Sequence, residues 1–170
     1  HAMEMKTATP KRSIFPRQIA FNAIAQIPQK DAFLPNGYTT EETKMIEETK
    51  KIMGDDSIQV SPTTVRVPVR LGHSEAINLE FQRPITVEQA KAALAKAPGI
   101  VLMDDSKGEV PLPLACEGRD EVFVGRVRRD PTIANGLNLW VVADNLRKGA
   151  ASNAVQIAEV LVQRGWLRSS

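Results

Sequence analysis

The sequence has very few thiols and aromatic side chains, with one cysteine, one tyrosine and two tryptophans among 170 residues. A disulfide framework and a cysteine-rich zinc site each need more than one cysteine, so both are excluded. A lone thiol is typical of proteins that work in a reducing compartment, and we therefore predict a cytoplasmic location.

Strong charge and long apolar runs are also missing. The formal net charge is +2 and no basic run stands out, which gives no indication of a nucleic-acid partner. The longest apolar runs are far shorter than the roughly 20 residues that span a bilayer, so we predict no membrane association. The chain contains no GxGxxG fingerprint, no GxxxxGK[ST] loop and no cluster of metal ligands. We therefore predict no metal site, and no phosphate-binding glycine loop within this chain.

The first helix that the sequence predicts begins after Thr39. Residues 1–13 before it are polar and aperiodic, and His1-Ala2-Met3 resembles the scar left by removal of a tag, so we predict a flexible lead-in. Thr39 and Glu42 have the spacing of a capping box. An amphipathic stripe follows, and Gly54 ends the helix. The stripe consists of Met45, Ile46, Thr49, Ile52 and Met53.

Two alternating apolar runs come next and predict two strands. In the first run, residues 65–71, the apolar side chains point inward and Arg66 and Arg70 share the opposite face. Pro68 cannot donate a backbone hydrogen bond, which indicates an edge strand or a bulge. Gly72 permits a bend that can redirect His73.

The rest of the sequence predicts a helix over 86–97, a short strand at 100–103, a loop over 104–119, two further strands, and a last helix from residue 145 to about Arg164. Strands interspersed with three helices predict an α+β fold. We expect a mixed, mostly antiparallel sheet with helices on one face.

Several polar groups are candidates for a site, and each has a structural alternative. Arg66 and Arg70 can clamp a carboxylate or phosphate, or they form the solvated face of an edge strand. His73 can act as a general acid/base, or as a hydrogen-bonded loop residue. Glu41 and Lys44 can bind a zwitterion, or form a helix-surface ion pair.

Small residues and amides crowd the start of the last helix. Gly149, Ala150 and Ala151 allow close approach of a ligand or of another domain. Asn153 and Gln156 are three residues apart, so both amides project on one side and can bind a carboxamide such as nicotinamide. Cys116 has an acidic neighbour, which raises the pKa of a thiol, so we assign it a structural role.

Five blocks of the sequence, taken together and in order, resemble the aspartate-β-semialdehyde dehydrogenase family. The resemblance runs from about Ile14 to Leu167 and is to the C-terminal part of that enzyme. The blocks are FPRQIAFNAIAQI, GYTTEETKMIEETKKIMGDD, TTVRVPVRLGHSEAINLEF, EVFVGRVRRD and GLNLWVVADNLRKGAASNAVQIAE.

The resemblance implies a reaction, the NADPH-dependent reductive dephosphorylation of L-aspartyl-4-phosphate to L-aspartate-4-semialdehyde. It feeds the lysine, threonine, methionine and diaminopimelate pathways. The resemblance also implies a role for each matching residue. Arg66 would bind the substrate α-carboxylate, Glu41 the amino group and Lys44 the phosphate. His73 would be the acid/base. For the cofactor, the resemblance implies contacts from Gln156, Asn145 and Gly149, with Ala150 beside Gly149.

The resemblance further implies how the chain is organised. Residues 14–143 would be an incomplete substrate-binding and dimerisation domain, like the C-terminal domain of glyceraldehyde-3-phosphate dehydrogenase-like enzymes. Residues 144–167 would be a C-terminal helix that packs on an NADP domain not matched here. Cys116 does not match the Asn-Cys motif of the family nucleophile. We therefore expect that this chain forms a homodimer and is inactive without the rest of the enzyme. One alternative is a module that serves only self-association. Another is the related enzyme N-acetyl-γ-glutamyl-phosphate reductase.

Overall fold

In the computed structural model, residue 15 and residues 17–166 are described. They form two compact units, divided between Pro68 and Val69. The predicted lead-in over residues 1–13 lies outside the described residues. Over those that are described, no helix has both the length and the apolar character needed to cross a bilayer.

The first unit is built around helix α1, Thr40–Met53, whose ends are those the sequence predicts. Thr39 and Glu42 form the full capping box: the Thr39 hydroxyl accepts from the Glu42 amide at 3.2 Å, and the Glu42 carboxylate accepts from the Thr39 amide at 2.7 Å. The helix ends at Gly54, which is left-handed with φ of 66°. Caps of this kind satisfy backbone groups that the helix itself leaves open, so they determine where it begins and ends.

The strand predicted over residues 65–71 is wrong. Within this stretch the first unit has only an isolated bridge, in which Arg66 exchanges two backbone hydrogen bonds with Ile24 at 2.8 and 2.9 Å. Val65 and Val67 are more than 40% exposed instead of pointing inward. Pro68 lacks the backbone amide needed to continue a ladder. No sheet therefore forms here for the alternating apolar side chains to pack against.

The second unit contains a sheet of four strands, β1 His73–Glu80, β2 Ile100–Leu102, β3 Val122–Arg129 and β4 Gly136–Ala143. Their order in the sheet is β1-β4-β3-β2. Its β1/β4 and β3/β4 pairs are antiparallel and its β2/β3 pair is parallel. The predicted α+β class with a mixed, mostly antiparallel sheet is therefore confirmed.

Helix α2, Val87–Lys96, covers one face of this sheet and begins with a capping box between Thr86 and Gln89. Its Ala90 packs with Val124 and Leu137 in a buried cluster. The opposite face carries a second cluster that includes Cys116, Phe123 and Val142.

Two stretches differ from the predicted pattern. The predicted loop over 104–119 contains a 3-10 turn, Asp105–Lys107, and the short helix α3, Pro113–Cys116. The last helix, α4, runs over Ala151–Gln163 and so begins six residues later than predicted. Residues 145–150 form turns instead, because their amides are bonded to Asp144 and to each other rather than in a helical series.

Strand β3 has a bulge in its pairing with β4. Gly125 pairs with Trp140, but the next pair joins Arg128 to Asn138. Two residues of β3 therefore oppose one of β4, and Arg126 takes a left-handed φ of 58°. The extra residue places Val127 on the same buried side as Val124.

Candidate functional site

Glu41 and Lys44 lie one helical turn apart near the start of α1. Their charged atoms are 3.9 Å apart, and Lys44 also lies 4.0 Å from Glu48. The side chains of Glu41 and Lys44 are 39% and 56% exposed, so water screens the pair. Such pairs contribute only about 0.2–0.5 kcal/mol to a helix, which leaves both charges free to exchange partners at little cost.

Arg66 is the most unusual polar side chain of the first unit. Its guanidinium carbon lies 5.5 Å from the centroid of the Phe15 ring. Its Nε is buried, and it has no hydrogen-bond partner among the described residues. A buried donor without a partner is costly. A carboxylate that took two parallel hydrogen bonds from the guanidinium edge would satisfy it.

Glu42 connects the start of α1 to the segment that carries Arg66. One carboxylate oxygen accepts from the Thr39 amide at 2.7 Å and the other from the Thr64 amide at 2.8 Å. The hydrogen bond from Thr39, followed by that from Thr64, lowers the pKa of Glu42. This buried carboxylate therefore holds the helix turn that bears Glu41 against a residue two positions before Arg66.

Two open depressions lie in the first unit, with volumes of about 330 and 360 Å³. Phe33 and Ala25 line both, and Glu42 lines the larger one. Neither is lined by Glu41, Lys44 or Arg66. The candidate substrate residues therefore do not belong to either depression.

In the second unit, His73 is exposed and is the first residue of β1, directly opposite Ala143 at the end of β4. Gly72 before it has a φ of 94°, and a Cβ there would lie 3.2 Å from the Ala143 carbonyl oxygen. Only glycine adopts this bend without strain, as the sequence predicted. The Gly72 amide donates to the side-chain oxygen of Asn145 at 2.9 Å.

Arg70, the second arginine of the predicted pair, is not part of this arrangement. It bonds to Glu117 at 3.0 Å and its side chain is 80% exposed. Since the predicted strand is absent, the predicted shared face of Arg66 and Arg70 is absent as well.

The turn that carries Asn145 is fixed by the buried carboxylate of Asp144. One oxygen accepts from the Gly118 amide at 2.8 Å, and the other accepts from the Leu146 amide at 2.9 Å and the Arg147 amide at 3.2 Å. These bonds lower the pKa of Asp144, and the bond from Gly118 contributes most.

Gly149 packs against the same turn. A Cβ at this position would lie 2.8 Å from the Asn145 carbonyl oxygen. The absence of a side chain is therefore required by the fold of the turn itself, whatever ligand approaches it.

Polar pairs attach the start of α4 to its surroundings. Lys148 donates to the side-chain oxygen of Gln156 at 2.7 Å. Arg147 binds Asp120 through two bonds of 2.7 and 2.9 Å, and the bonds from Arg147 and then Ser152 lower the pKa of Asp120 to about 2. By contrast, the apolar side chains of α4 are largely exposed, namely Val155, Ile157, Val160 and Val162.

Cys116 is 1% exposed and lies in the core on the α3 side of the sheet. Burial raises the pKa of its thiol, so at neutral pH it is a protonated core residue. Among the described residues no group of three histidine, cysteine or acidic side chains could hold a metal ion.

The structure therefore joins the predicted residues in two groups. Glu41 and Lys44 share a helix turn that Glu42 ties to the Arg66 segment, and Gly72 before His73 is bonded to Asn145. Three carboxylates organise these residues without having been predicted to do so, namely those of Glu42, Asp144 and Asp120. The capping-box spacing was the available signal for Glu42, and the position of Asp144 directly before the predicted last helix is that of an N-cap, whereas no local pattern marks Asp120.

Comparison with known proteins defines the family. Residues 1–148 match the model for "Semialdehyde dehydrogenase, dimerisation domain". The chain is 55% identical over 159 residues to an aspartate-semialdehyde dehydrogenase of Aquifex aeolicus, covering 93% of this chain and 46% of that one. The structure of aspartate semialdehyde dehydrogenase II of Vibrio cholerae, complexed with ASA, superposes with a TM-score of 0.87 at 50% identity, covering 95% and 47%.

A more distant structure is that of the aspartate semialdehyde dehydrogenase of Candida albicans with NADP, at 27% identity and a TM-score of 0.63, covering 88% of this chain and 46% of that one. The chain belongs to the semialdehyde dehydrogenase dimerisation-domain family. Within that family its similarity is to aspartate-semialdehyde dehydrogenases, as the sequence predicted. The chain spans about half the length of the curated relatives it matches.

Proposed function

We propose that this chain is the substrate-binding half of an aspartate-semialdehyde dehydrogenase. The whole enzyme would catalyse the NADPH-dependent reductive dephosphorylation of L-aspartyl-4-phosphate, releasing phosphate and L-aspartate-4-semialdehyde. The observation that carries the proposal is the buried Nε of Arg66, which has no hydrogen-bond partner within residues 15 and 17–166, in a chain of this family. An arginine in that state is suited to a carboxylate ligand.

The proposed substrate contacts follow from the charges of an amino acid that bears a phosphoryl group. Arg66 binds the α-carboxylate, Glu41 accepts from the ammonium group and Lys44 contacts the phosphate. The weak surface pairing of Glu41 and Lys44 supports these roles, because either side chain can leave the other without a large loss. Substrate binding would then position the reacting carbonyl for attack.

We propose that His73 is the acid/base. It takes the proton of a thiol that attacks the acyl carbon as phosphate leaves, so that a thioester forms. After hydride addition to that carbon, the imidazole protonates the adduct oxygen, and it takes this proton back as the C–S bond breaks and the aldehyde is released. The thiol is not Cys116, whose burial and raised pKa are unsuited to a nucleophile. It belongs to the part of the enzyme outside this chain, so the chain alone is inactive.

The residues at the start of α4 fit one end of a nicotinamide cofactor. Asn145 and Gln156 each have their side-chain oxygen occupied by a donor from this chain. Their NH₂ groups therefore remain as donors for a carboxamide oxygen. Gly149 keeps the turn close-packed beside them. When bound, NADPH supplies the hydride.

The test is an assay with L-aspartate semialdehyde, phosphate and NADP in which NADPH is measured. We expect no turnover by the purified 170-residue chain, and turnover when the other half of the enzyme is added. Turnover by the chain alone would overturn the assignment of the nucleophile, and Cys116 would be the first residue to replace.

The role of Arg66 has its own test in the reconstituted enzyme. Arg66→Lys keeps the charge and removes the two-donor edge of the guanidinium. We expect KM for aspartate semialdehyde to rise about tenfold or more, since a hydrogen bond to a charged group contributes about 1.5–3 kcal/mol. The matched control is Arg70→Lys, whose exposed side chain bonds Glu117 instead. An equal rise in both variants would contradict the assignment.

The second candidate function is self-association. The family model describes a dimerisation domain, and several large apolar side chains are more than half exposed. We propose a homodimer, which sedimentation equilibrium would report as twice the chain mass of 18.7 kDa. A mass of one chain at micromolar concentration would count against it. The large apolar side chains that are more than half exposed, and that a second copy of the chain could cover, include Phe21, Phe33, Leu114, Val155 and Val162.

A further inference from the structure

The side chain of Asn145 joins the turn after β4 to the residue that precedes His73. Its Oδ1 accepts from the Gly72 amide at 2.9 Å, across 73 residues of sequence. This bond lies at the point where the β1/β4 ladder ends, because His73 and Ala143 are the last paired residues there. The ladder itself therefore leaves the Gly72 amide to be fixed by another acceptor.

The bond matters because of the conformation of Gly72. With φ at 94° and no side chain, Gly72 has more backbone freedom than any other residue type in the same position. His73 is the terminal paired residue of β1, so the ladder holds its backbone on the C-terminal side only, and a rotation at Gly72 can change the direction of its side chain. An acceptor that holds the Gly72 amide removes that freedom.

Asn145 is itself held firmly enough to do this. The turn that begins at Asp144 is fixed by three backbone amides bonded to the Asp144 carboxylate. Gly149 packs on the Asn145 carbonyl, at a distance that excludes a Cβ. Because a backbone amide can only donate, the bond also fixes the orientation of the Asn145 side chain, with Oδ1 toward Gly72 and Nδ2 away from it.

We propose that Asn145 is a positioning residue for His73: its side-chain oxygen holds the Gly72 amide and thereby sets the direction in which β1 presents the imidazole. This rests on the proposed function, in which His73 is the acid/base. It gives Asn145 a role beyond contact with the cofactor, and it assigns the two roles to different atoms of one side chain.

The geometry is tested in the 170-residue chain by NMR, through hydrogen exchange of the Gly72 amide. Asn145→Ala removes the acceptor, and we expect Gly72 to exchange about fivefold faster or more. Asn145→Asp keeps an acceptor oxygen, so exchange stays within about twofold of the original. The control is Asn78→Ala, which removes side-chain bonds to Asp130 and Asn138 from the same strand and leaves Gly72 unchanged.

The role is tested in the whole enzyme with the same variants. We expect Asn145→Ala to lower kcat about tenfold or more and to change its pH profile. Asn145→Asp should recover most of kcat, although both variants lose the Nδ2 donors. A residue that only contacts cofactor would give the opposite result, with KM for NADP raised alike in both variants and kcat retained.

Three results would overturn the proposal. Gly72 exchange that is unaffected by Asn145→Ala would show that the bond does not hold the amide. Faster exchange with an unchanged kcat and pH profile would show that the bond does not serve His73. Absence of turnover by the unmodified whole enzyme would remove the proposed function, and the role of His73 with it, while the exchange result would still report the geometry.

Discussion

The candidate side chains of the two units differ in whether they are already hydrogen-bonded within the chain. In the first unit, Arg66 has a buried donor without a partner among the described residues, and Glu41 and Lys44 are paired only loosely at the surface. In the second unit, Asn145 and Gln156 are already bonded within the chain. The first set therefore has hydrogen-bonding capacity left for a ligand, whereas the second has its side-chain oxygens already used within the chain.

The two units also differ in what stabilises them. The second has a regular sheet with a buried cluster on each face. In the described part of the first, one well-capped helix is tied to irregular chain by the Glu42 carboxylate. Burial of apolar side chains therefore dominates the second unit, and hydrogen bonds to a single charged group have a larger share in the first.

The largest expected loss of stability comes from a substitution in the sheet of the second unit. Leu137 is 1% exposed at the centre of the cluster beneath α2. We expect Leu137→Ala to lower the free energy of unfolding by about 2–5 kcal/mol, as cavities of this kind do. Chemical denaturation followed by tryptophan fluorescence measures it. Val67→Ala, at a position 43% exposed, is the control and should change stability by less than about 0.5 kcal/mol. Equal losses would mean that Val67 is buried after all.

The next effect comes from the capping carboxylate of the first unit. Glu42→Ala leaves the amides of Thr39 and Thr64 without acceptors and should cost about 1.5–3 kcal/mol. Glu41→Ala, one residue away and exposed, should cost less than about 0.5 kcal/mol. Helical circular dichroism in denaturant measures both. If the two variants lose the same stability, the bridge from α1 to Thr64 does not hold the unit together.

The same carboxylate gives a pH dependence with a definite sign. Its pKa in the folded chain lies below its ordinary value of 4.5. Its contribution is therefore complete above about pH 4.5 and is lost as the pH falls through the folded pKa. The loss of stability on acidification should be smaller in Glu42→Ala than in the original chain, and a parallel loss in both would contradict the assignment.

The smallest effect is at the surface of the second unit, between Asp120 and Arg147. The Asp120 carboxyl should titrate near pH 2 by carbon-13 NMR, because it accepts two bonds from Arg147. In Arg147→Gln we expect its pKa to rise toward the ordinary 3.8. Lys107→Gln, in a separate surface pair with Asp104, is the control. If the pKa of Asp120 is the same in Arg147→Gln as in the original chain, the pair does not form in solution.

The sequence predicted those elements whose signals are local. The capping box at Thr39, the glycine that ends α1 and the second alternating run, which forms β1, each depend on a few neighbouring residues. The run over residues 65–71 has the same alternation, but alternation alone does not reveal whether another strand lies beside it, and Pro68 weakens the ladder. The prediction therefore failed where a tertiary contact decides the outcome.

The candidate site was predictable in its residue types and not in its connections. The spacing of Glu41 and Lys44 places them on one helix turn, as observed. The bond from Gly72 to Asn145 spans 73 residues, and that from Thr64 to Glu42 spans 22. Each joins a backbone amide to an ordinary polar side chain. Such pairs have no spacing rule, so only the folded chain reveals them.

The bulge in β3 has a consequence for how changes in chain length are tolerated. Arg126 is the additional residue, and the strand on either side of it keeps its own alternation against β4. Deleting Arg126 would close the ladder while leaving Val124 and Val127 on the same side, whereas deleting Val127 would remove a buried side chain. In an alignment of relatives, a one-residue gap at position 126 would therefore mark a sheet of the same packing with a straighter third strand.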